Sequence, residues 1–430
     1  MLTRRAVLRR AAAAAAFSII PRHVLGGAGH VAPSAVLTQA TIGCGLQGLA
    51  AHVAENVEGR PPVQLAVCDV DRTRLAAAMR KAGRACEGYS DFRRALDRMD
   101  IDIVRIATPP HWHAFMAMVA CRAGKDVLLE KPMTRFIGEG RAVVRAAKQY
   151  GRVVRVNTFG RGGEWTRIRQ LIASGRLGRP LHVIVGPATG FGFKVRACCG
   201  KMHLEPQPVP AELDYDLWLG PAPLRPYNAE RVHFGFRGYW DYDGGGLTDM
   251  GQHWVDAVQF ALGKDTEGPI RAQSLAPWPA DPEACGMWGW VRLEYADSTT
   301  ITIESGEWGP VSVDKRPFIE GPGGKVFRDP SSGALTSEPA DLLEALPSWA
   351  LPPRMETFED AVRTRGAAPG LLPGPEEAHR SVTLLHLGNI SIRLGRAVKW
   401  DGRAERAVGD DEANRLVDIP VRAPWGIPPF

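Results

Sequence analysis

The first 157 residues alternate short apolar runs with amphipathic segments. The apolar runs predict five buried strands, at positions 36–42, 63–67, 101–107, 127–129 and 153–156. Segments with apolar residues at helical spacing lie between the runs, at 72–82, 92–99, 113–123 and 138–150. Strands that alternate with helices are typical of right-handed βαβ units. This part of the chain is therefore predicted to form a parallel sheet covered by helices.

The pattern changes after residue 157. A helix is predicted at 165–174, and three later segments alternate apolar and polar residues, at 181–185, 287–295 and 299–303. Ala296-Asp297-Ser298 separates the last two and indicates a hairpin. Such alternation is typical of an antiparallel sheet with one solvated face. Proline and glycine crowd 186–235 and 305–375, so long irregular connections are expected there.

A glycine-rich segment, Gly43-Cys44-Gly45-Leu46-Gln47-Gly48, directly follows the first predicted strand, and Asp69 ends the second. In this context the pattern is the fingerprint of a Rossmann dinucleotide site. The glycines allow backbone N–H groups to approach a pyrophosphate at a helix N-terminus. Asp69 is predicted to accept hydrogen bonds from ribose hydroxyls and to repel a 2′-phosphate, which favours NAD. Arg72 keeps NADP as an alternative.

These patterns predict an α/β protein with three segments. The fold class is an N-terminal Rossmann doubly wound parallel sheet followed by a C-terminal α/β domain with a large open, mostly antiparallel sheet. The segments are a leader and linker at 1–34, a nucleotide-binding domain at 35–157, and a C-terminal domain at 158–430.

Two further groups of residues can carry chemistry. Glu130-Lys131-Pro132 ends a predicted strand, at the sheet edge where ligands of open α/β sheets bind. An ammonium group there can stabilise charge that develops on a reacting oxygen. Asp249 and His253 are four residues apart and share one helix face, so the carboxylate can orient an imidazole acid/base. Taken alone, each group is more often a solvated surface feature.

Taken together, these motifs resemble the glucose–fructose oxidoreductase and inositol dehydrogenase (Gfo/Idh/MocA) family. The resemblance extends over nearly the whole chain and includes the segments Thr108-Pro109-Pro110-His111-Trp112-His113 and Asp249-Met250-Gly251-Gln252-His253. It implies a catalytic group of Lys131, Asp249 and His253, with His253 as general acid/base. It also implies that His113 lines the nicotinamide end of the site, whereas His111 is structural.

The resemblance and the fingerprint together give a set of expected site residues. Those expected to bind the cofactor are Gly43, Gly45, Leu46, Gln47, Gly48, Asp69, Arg72, Thr108, Pro109, His113, Glu130 and Lys131. Those expected to bind substrate are Lys131, Trp240, Asp249 and His253. Arg237, Asp241 and Asp243 are further candidates for partners of sugar hydroxyls, because they lie close to Trp240 in the sequence.

The net charge of +6 is concentrated at the N-terminus. Residues 1–34 contain five arginines and no acidic residue, so only +1 belongs to the other 396 residues. This balance argues against a nucleic-acid partner. Arg4-Arg5 before a short apolar stretch at 11–20 is typical of a twin-arginine export signal. We therefore expect a periplasmic protein with no stable transmembrane segment.

Cysteine and tryptophan refine this interpretation. The seven cysteines are scattered and predict no disulfide framework. Cys198, Cys199 and His203 match no common zinc spacing, so no metal is expected. All twelve tryptophans lie at or after Trp112, and flat amphipathic rings suit the apolar faces of sugars.

The predicted function is therefore NAD(P)-dependent oxidation or reduction of a secondary hydroxyl in a sugar, cyclitol or glycoside. Export predicts that the cofactor is tightly retained, because free NAD is scarce outside the cytoplasm. The alternatives are a redox-neutral NAD-dependent glycosidase, lyase or epimerase, and a non-catalytic sugar or nucleotide sensor. The resemblance also implies a homo-oligomer, either a dimer or a tetramer.

Overall fold

The computed structural model describes residues 36–57, 62–83, 85–278, 280–307, 316–329, 331–344 and 355–426. The leader predicted at 1–34 lies outside these residues. Within them, no helix is long and apolar enough to cross a bilayer.

The first sheet contains six parallel strands. They are β1 (Thr38–Ile42), β2 (Val63–Cys68), β3 (Glu87–Tyr89), β4 (Ile103–Ile106), β5 (Asp126–Glu130) and β6 (Val154–Asn157). Their order is β3-β2-β1-β4-β5-β6, which is the doubly wound arrangement of a Rossmann domain. The five predicted strands are confirmed. The sequence pattern missed β3, which is only three residues long and has no buried side chain.

Helices cover this sheet on both faces, as parallel strands require. They are α1 (Arg72–Ala82), α2 (Phe92–Leu96), α3 (His113–Arg122) and α4 (Ile137–Gln149). The glycine-rich segment leads only into a π-helical turn at Gly48–His52, so the helix expected there is much shorter than in a regular βαβ unit.

The second sheet contains nine strands, most of them antiparallel. They are β7 (His182–Val185), β8 (Arg271–Leu275), β9 (Trp290–Glu294), β10 (Thr300–Glu304), β11 (Ile319–Gly321), β12 (Gly324–Arg328), β13 (Leu335–Glu338), β14 (Val398–Asp401) and β15 (Arg406–Ala407). Their order is β13-β12-β11-β7-β10-β9-β8-β14-β15, with β7 and β10 parallel. The predicted hairpin joins β9 to β10. The predicted fold class is confirmed.

Seven helices accompany this sheet. They are α5 (Glu164–Ala173), α6 (Tyr215–Leu219), α7 (Gly245–Leu262), α8 (Asp341–Glu344), α9 (Phe358–Thr364), α10 (Pro375–Leu394) and α11 (Asp411–Val417). The sequence pattern missed α10, although it is the longest helix of the described residues. Its buried residues lie on all sides, because it packs against α4, α7 and β8 at once, and so it has no polar stripe.

A buried ion pair joins the loop after β6 to α7. The guanidinium of Arg161 donates to both carboxylate oxygens of Asp256, at 2.9 and 2.6 Å, and its third nitrogen lies 3.0 Å from Asp265. Asp256 is fully buried. The pair fixes the segment that contains Phe159 against the helix that contains His253.

We expect Asp256→Ala to destabilise the protein by about 3 kcal/mol, because it leaves a buried guanidinium without its bidentate partner. Urea unfolding at pH 7 measures the change. The control is Glu320→Ala, which breaks an exposed pair with Lys325 and should cost less than about 1 kcal/mol. Equal losses in the two variants would contradict the role assigned to the buried pair.

Candidate active site

The glycine-rich loop follows β1, and its three glycines occupy positions where a side chain would collide with neighbouring atoms. Gly43 has φ +87°, and a Cβ atom there would lie 2.7 Å from the Ala107 backbone. A Cβ atom at Gly48 would lie 1.8 Å from the carbonyl oxygen of Gly43. At Gly45 it would meet the guanidinium of Arg74 at 2.8 Å. The loop therefore has the close-packed backbone that a dinucleotide pyrophosphate requires.

Asp69 is placed as predicted, at the end of β2 beside this loop. Its carboxylate accepts hydrogen bonds from the backbone N–H groups of Cys44 at 2.7 Å and Asp71 at 2.9 Å. Burial raises the pKa of Asp69, while these two hydrogen bonds act in the opposite direction. A carboxylate has about four acceptor positions, so it retains capacity for ribose hydroxyls.

Arg72 does not line the cleft, so the structure does not bring it together with the other residues predicted to bind the cofactor. It is exposed, and its guanidinium donates to the carbonyl oxygen of Ala211. Arg74, two residues further along α1, lines the cleft instead. Both arginines belong to the first turn of α1, and the direction of each side chain determines which of them faces the cleft. The sequence spacing does not show this direction.

Most of the other predicted residues line one cleft of about 970 Å³ between the two sheets. From the predicted set these are Gly43, Gly45, Leu46, Gln47, Asp69, Thr108, Pro109, Glu130, Lys131, Asp249 and His253. The dinucleotide loop and the three expected catalytic residues therefore share a single cavity, although they come from segments up to 210 residues apart.

Glu130 is a buried anchor at the end of β5. Its Oε1 lies 2.7 Å from Nε2 of His52 and accepts a hydrogen bond from Asn157 at 2.8 Å. Burial alone would raise its pKa, but these hydrogen bonds and the nearby positive charges lower it to about 2. Glu130 is therefore a carboxylate that ties the end of β5 to His52 and to Asn157 at the end of β6. His52, which the sequence analysis missed, is its main partner.

Lys131 and Asp249 meet across the cleft. The Lys131 ammonium donates to the backbone carbonyl of Asp249 and lies 3.3 Å from its carboxylate. Nε of Arg237 donates to the same carboxylate oxygen at 2.8 Å. Burial favours the neutral acid, but Lys131 and Arg237 together keep the pKa of Asp249 below its usual value. Asp249 is thus a charged group shared by two cations.

His253 lies one turn after Asp249 on α7, as predicted. Asp249 does not hydrogen-bond to it in the structure, because its carboxylate faces Lys131 and Arg237 instead. Nδ1 of His253 is buried without a hydrogen-bond partner among the described residues. The ring of Phe159 stacks on the imidazole, with centroids 3.6 Å apart and planes 5° apart. Burial, followed by the charge of Lys131, lowers the pKa of His253 to about 3.

His113 lies behind the cleft and does not line it. Its ring nitrogens lie 2.7 Å from the carbonyl oxygen of Pro132 and 2.8 Å from that of Thr108. Burial lowers its pKa. The ring therefore joins the turn after β4 to the loop of Lys131, and its side chain points into the protein and away from the cleft.

Trp240, which was predicted to bind substrate, also lies outside the cleft. It is buried, its Nε1 donates to the carbonyl oxygen of Asp281 at 3.0 Å, and its ring faces Arg393. Trp218 does line the cleft. The apolar character of a tryptophan does not reveal which of two neighbouring cavities it faces.

The other polar candidates have partners within the protein. Asp241 pairs with Arg225 at 2.8 Å. Asp243 is buried next to the start of α7 and accepts from Thr248 Oγ1 at 2.9 Å. Burial and the charge of Asp249 raise the pKa of Asp243 to about 7.

The sequence analysis missed several residues of the cleft wall. Phe159 and Lys194 are exposed there, and Phe234, Phe236 and Met250 also line the cleft. Phe159 could have been found, because it follows the carboxyl end of β6, where ligands bind in this kind of sheet. In the described part of the chain, no three His, Cys, Asp or Glu side chains are grouped so as to hold a metal ion.

The fold and the cleft define a two-domain oxidoreductase with an NAD-binding Rossmann domain. The family model "Oxidoreductase family, NAD-binding Rossmann fold" matches residues 38–158, and "Oxidoreductase family, C-terminal alpha/beta domain" matches residues 162–427. The second match alone exceeds half of the chain. The protein belongs to the Gfo/Idh/MocA family, and the expectation of NAD as cofactor is confirmed at the level of the family domain.

Curated relatives match over less than half of their length. Inositol 2-dehydrogenase of Salmonella typhimurium is 30% identical over 134 residues, which are 31% of this chain and 39% of that enzyme. The 1,5-anhydro-D-fructose reductase of Ensifer adhaerens is 26% identical over 196 residues, or 45% and 48% of the two chains.

Solved structures share the fold over nearly their full length. The WlbA dehydrogenase of Bordetella pertussis, in complex with NADH and UDP-GlcNAcA, has a TM-score of 0.56 and 18% identity, covering 85% of this chain and 99% of that one. The aldose-aldose oxidoreductase of Caulobacter crescentus, complexed with glycerol, has a TM-score of 0.54 and 19% identity, with 85% and 99% coverage.

We expect His253 to remain neutral down to about pH 4, because burial and Lys131 lower its pKa to about 3. Lys131→Met should raise this pKa, since it removes a positive charge that disfavours the imidazolium. NMR titration of labelled histidine measures it, with His253→Asn for assignment. Lys201→Met, at an exposed pair with Glu230, is the control and should have no effect. A wild-type pKa near 6.5 would contradict the prediction.

Proposed function

We propose that this protein is an NAD-dependent oxidoreductase that interconverts a secondary hydroxyl and a ketone in a sugar, cyclitol or glycoside. The observation that carries this proposal is the shared cleft, in which Lys131, Asp249 and His253 lie in the same cavity as the glycine-rich loop. The loop fits the cofactor, because Gly43 and Gly48 let its backbone pack tightly against itself and against Ala107, as the turn around a pyrophosphate requires.

The residues assign a role to each group. When bound, NAD supplies the hydride acceptor or donor. Gly43, Gly45 and Asp69 would hold its pyrophosphate and adenosine ribose. Arg74 lies beside Gly45 in the cleft, and its guanidinium could pair with a 2′-phosphate. NADP is therefore the alternative cofactor.

His253 is proposed as the general acid/base. Burial and the charge of Lys131 keep the imidazole neutral at physiological pH, so a ring nitrogen is available for the hydroxyl proton while the ammonium stabilises the alkoxide. The parallel ring of Phe159 holds the imidazole plane, a role that the sequence analysis gave to the carboxylate of Asp249. Phe159 is in this sense a positioning residue.

Lys131 is proposed to bind the reacting oxygen. An ammonium group has three donors, and Asp249 accepts from two of them. The third donor can stabilise the alkoxide that develops when the proton leaves. Asp249 and Arg237 would fix the direction of this ammonium.

The cleft wall supports a polyol as substrate. Phe159, Phe234 and Phe236 offer apolar faces, while Lys194 and Arg237 offer donors for hydroxyl groups. The curated relatives act on inositol and anhydrofructose, and we transfer only this substrate class. We further propose periplasmic export through the twin-arginine signal and assembly into a dimer or tetramer.

We expect Lys131→Met and His253→Asn each to reduce kcat by about 10²–10⁴-fold, while NADH binding changes little. Release or consumption of NADH with a panel of inositols, aldoses and glycosides measures kcat, and fluorescence titration measures binding. Lys201→Met is the matched control. Wild-type turnover in a variant that combines Lys131→Met and His253→Asn would disprove the catalytic assignment. Cleavage of nitrophenyl glycosides without net NADH formation would instead indicate the redox-neutral alternative.

We expect the exported protein to retain its nucleotide through purification, because free NAD is scarce in the periplasm. Absorbance at 340 nm after reduction, together with mass spectrometry of the denatured supernatant, measures the bound nucleotide and distinguishes NAD from NADP. Gly48→Ala is the control and should contain none, since its Cβ atom would collide with the loop. Wild-type protein without nucleotide would overturn the retention proposal.

A further inference from the structure

A second, smaller cavity of about 90 Å³ lies apart from the cleft, at the junction of the two domains. The loop before α4 contributes Arg135, and one face of α10 contributes His386, Asn389 and Arg393 at spacings of three and four residues. His111 comes from the turn before α3. None of these residues has a role in the proposed reaction.

Two guanidinium groups line this cavity without acidic partners. Among the described residues, no carboxylate lies within 4.0 Å of Arg135 or Arg393, and Nε of Arg135 is buried without a hydrogen bond. Arg135 lies 4.3 Å from the ring of Phe136, and Arg393 lies 4.8 Å from the ring of Trp240. Burial lowers the pKa of both groups. Such unpaired charges are costly unless an anion neutralises them.

The acidic residues at this cavity are already engaged. Asp241 pairs with Arg225. Oε2 of Glu139 accepts from the backbone N–H groups of Arg135 and Phe136, and burial raises the pKa of this carboxyl to about 7. Neither group cancels both guanidinium charges.

Two histidines add hydrogen-bond acceptors. Nε2 of His111 lies 3.0 Å from the carbonyl oxygen of Trp218, and His386 lines the cavity from α10. The other nitrogens, Nδ1 of His111 and Nε2 of His386, are buried and have no partner among the described residues. Burial lowers the pKa of both rings to about 3, so both are neutral. A neutral imidazole that donates to a carbonyl has its second nitrogen free as an acceptor.

The cavity therefore combines cationic donors with neutral acceptors. We propose that it binds a small oxyanion that also carries a hydroxyl group, such as monohydrogen phosphate or a short hydroxycarboxylate. The anionic oxygens would accept from Arg135 and Arg393, and the hydroxyl would donate to a free histidine nitrogen. One water requires roughly 10–15 Å³, so the cavity has room for the five or six heavy atoms of such an ion.

The test uses the full chain saturated with NADH, so that the cleft is filled, in a chloride buffer at constant ionic strength. We expect phosphate to raise the melting temperature by a few °C at about ten times its Kd. Sulfate should bind at least tenfold more weakly, because it has no proton to donate. The same measurement with lactate and propionate tests a carboxylate ligand. Lactate should give the larger shift in melting temperature, because only lactate has a hydroxyl group to donate. If no anion exceeds chloride, or if sulfate equals phosphate, the proposal fails.

Arg393→Gln should abolish the phosphate shift. The control is Arg122→Gln, an exposed arginine that also lies in the last turn of its helix. An equal shift in both variants would overturn the assignment. A crystal of the NADH complex soaked in arsenate gives a second measurement that needs no variant. We expect an anomalous peak between Arg135 and Arg393, and a peak confined to the cleft would refute the site.

Discussion

The arrangement of the site depends on the charge balance at Asp249. This carboxylate is buried on α7, and it remains ionised because Lys131 from the Rossmann domain and Arg237 from the second domain both contact it. Gln252 reinforces the junction, since its Oε1 accepts from the N–H of Met133 at 2.8 Å while its Nε2 donates to the carbonyl oxygen of Ala378. The ammonium group can therefore take its position only after the two domains have docked.

The same junction explains why Asp249 and His253 do not form a simple carboxylate–imidazole pair. The carboxylate of Asp249 contacts Lys131 and Arg237 and does not contact His253. The imidazole of His253 is instead held by its burial and by the stacked ring of Phe159. The imidazole is neutral for the same reason, since a positive ammonium and a poorly solvated environment both oppose protonation. The buried pair of Arg161 and Asp256 extends this support, because it fixes the loop on which Phe159 lies.

Sequence periodicity predicted both sheets, because strands and amphipathic helices leave patterns that local physics determines. It missed α10, whose surroundings are apolar on every side. Motif spacing identified Lys131, Asp249 and His253, which are all in the cleft. It did not show that Arg72 and Trp240 lie outside the cleft, since their side-chain directions depend on neighbours distant in the chain. It also did not show which groups contact the Asp249 carboxylate, because Lys131 is 118 residues away.

Glu130 and Lys131 are adjacent residues of opposite charge that serve opposite sides of one strand end. Glu130 bonds to His52 and Asn157 beneath the sheet edge, whereas Lys131 reaches across to α7. Successive side chains of a strand alternate between faces. A single-residue insertion or deletion in β5 would exchange the two and place a carboxylate in the cleft where the Lys131 ammonium now faces Asp249. Evolution of this scaffold is consequently free to vary the length of the distant loops, whereas the register of β5 against β6 must stay constant.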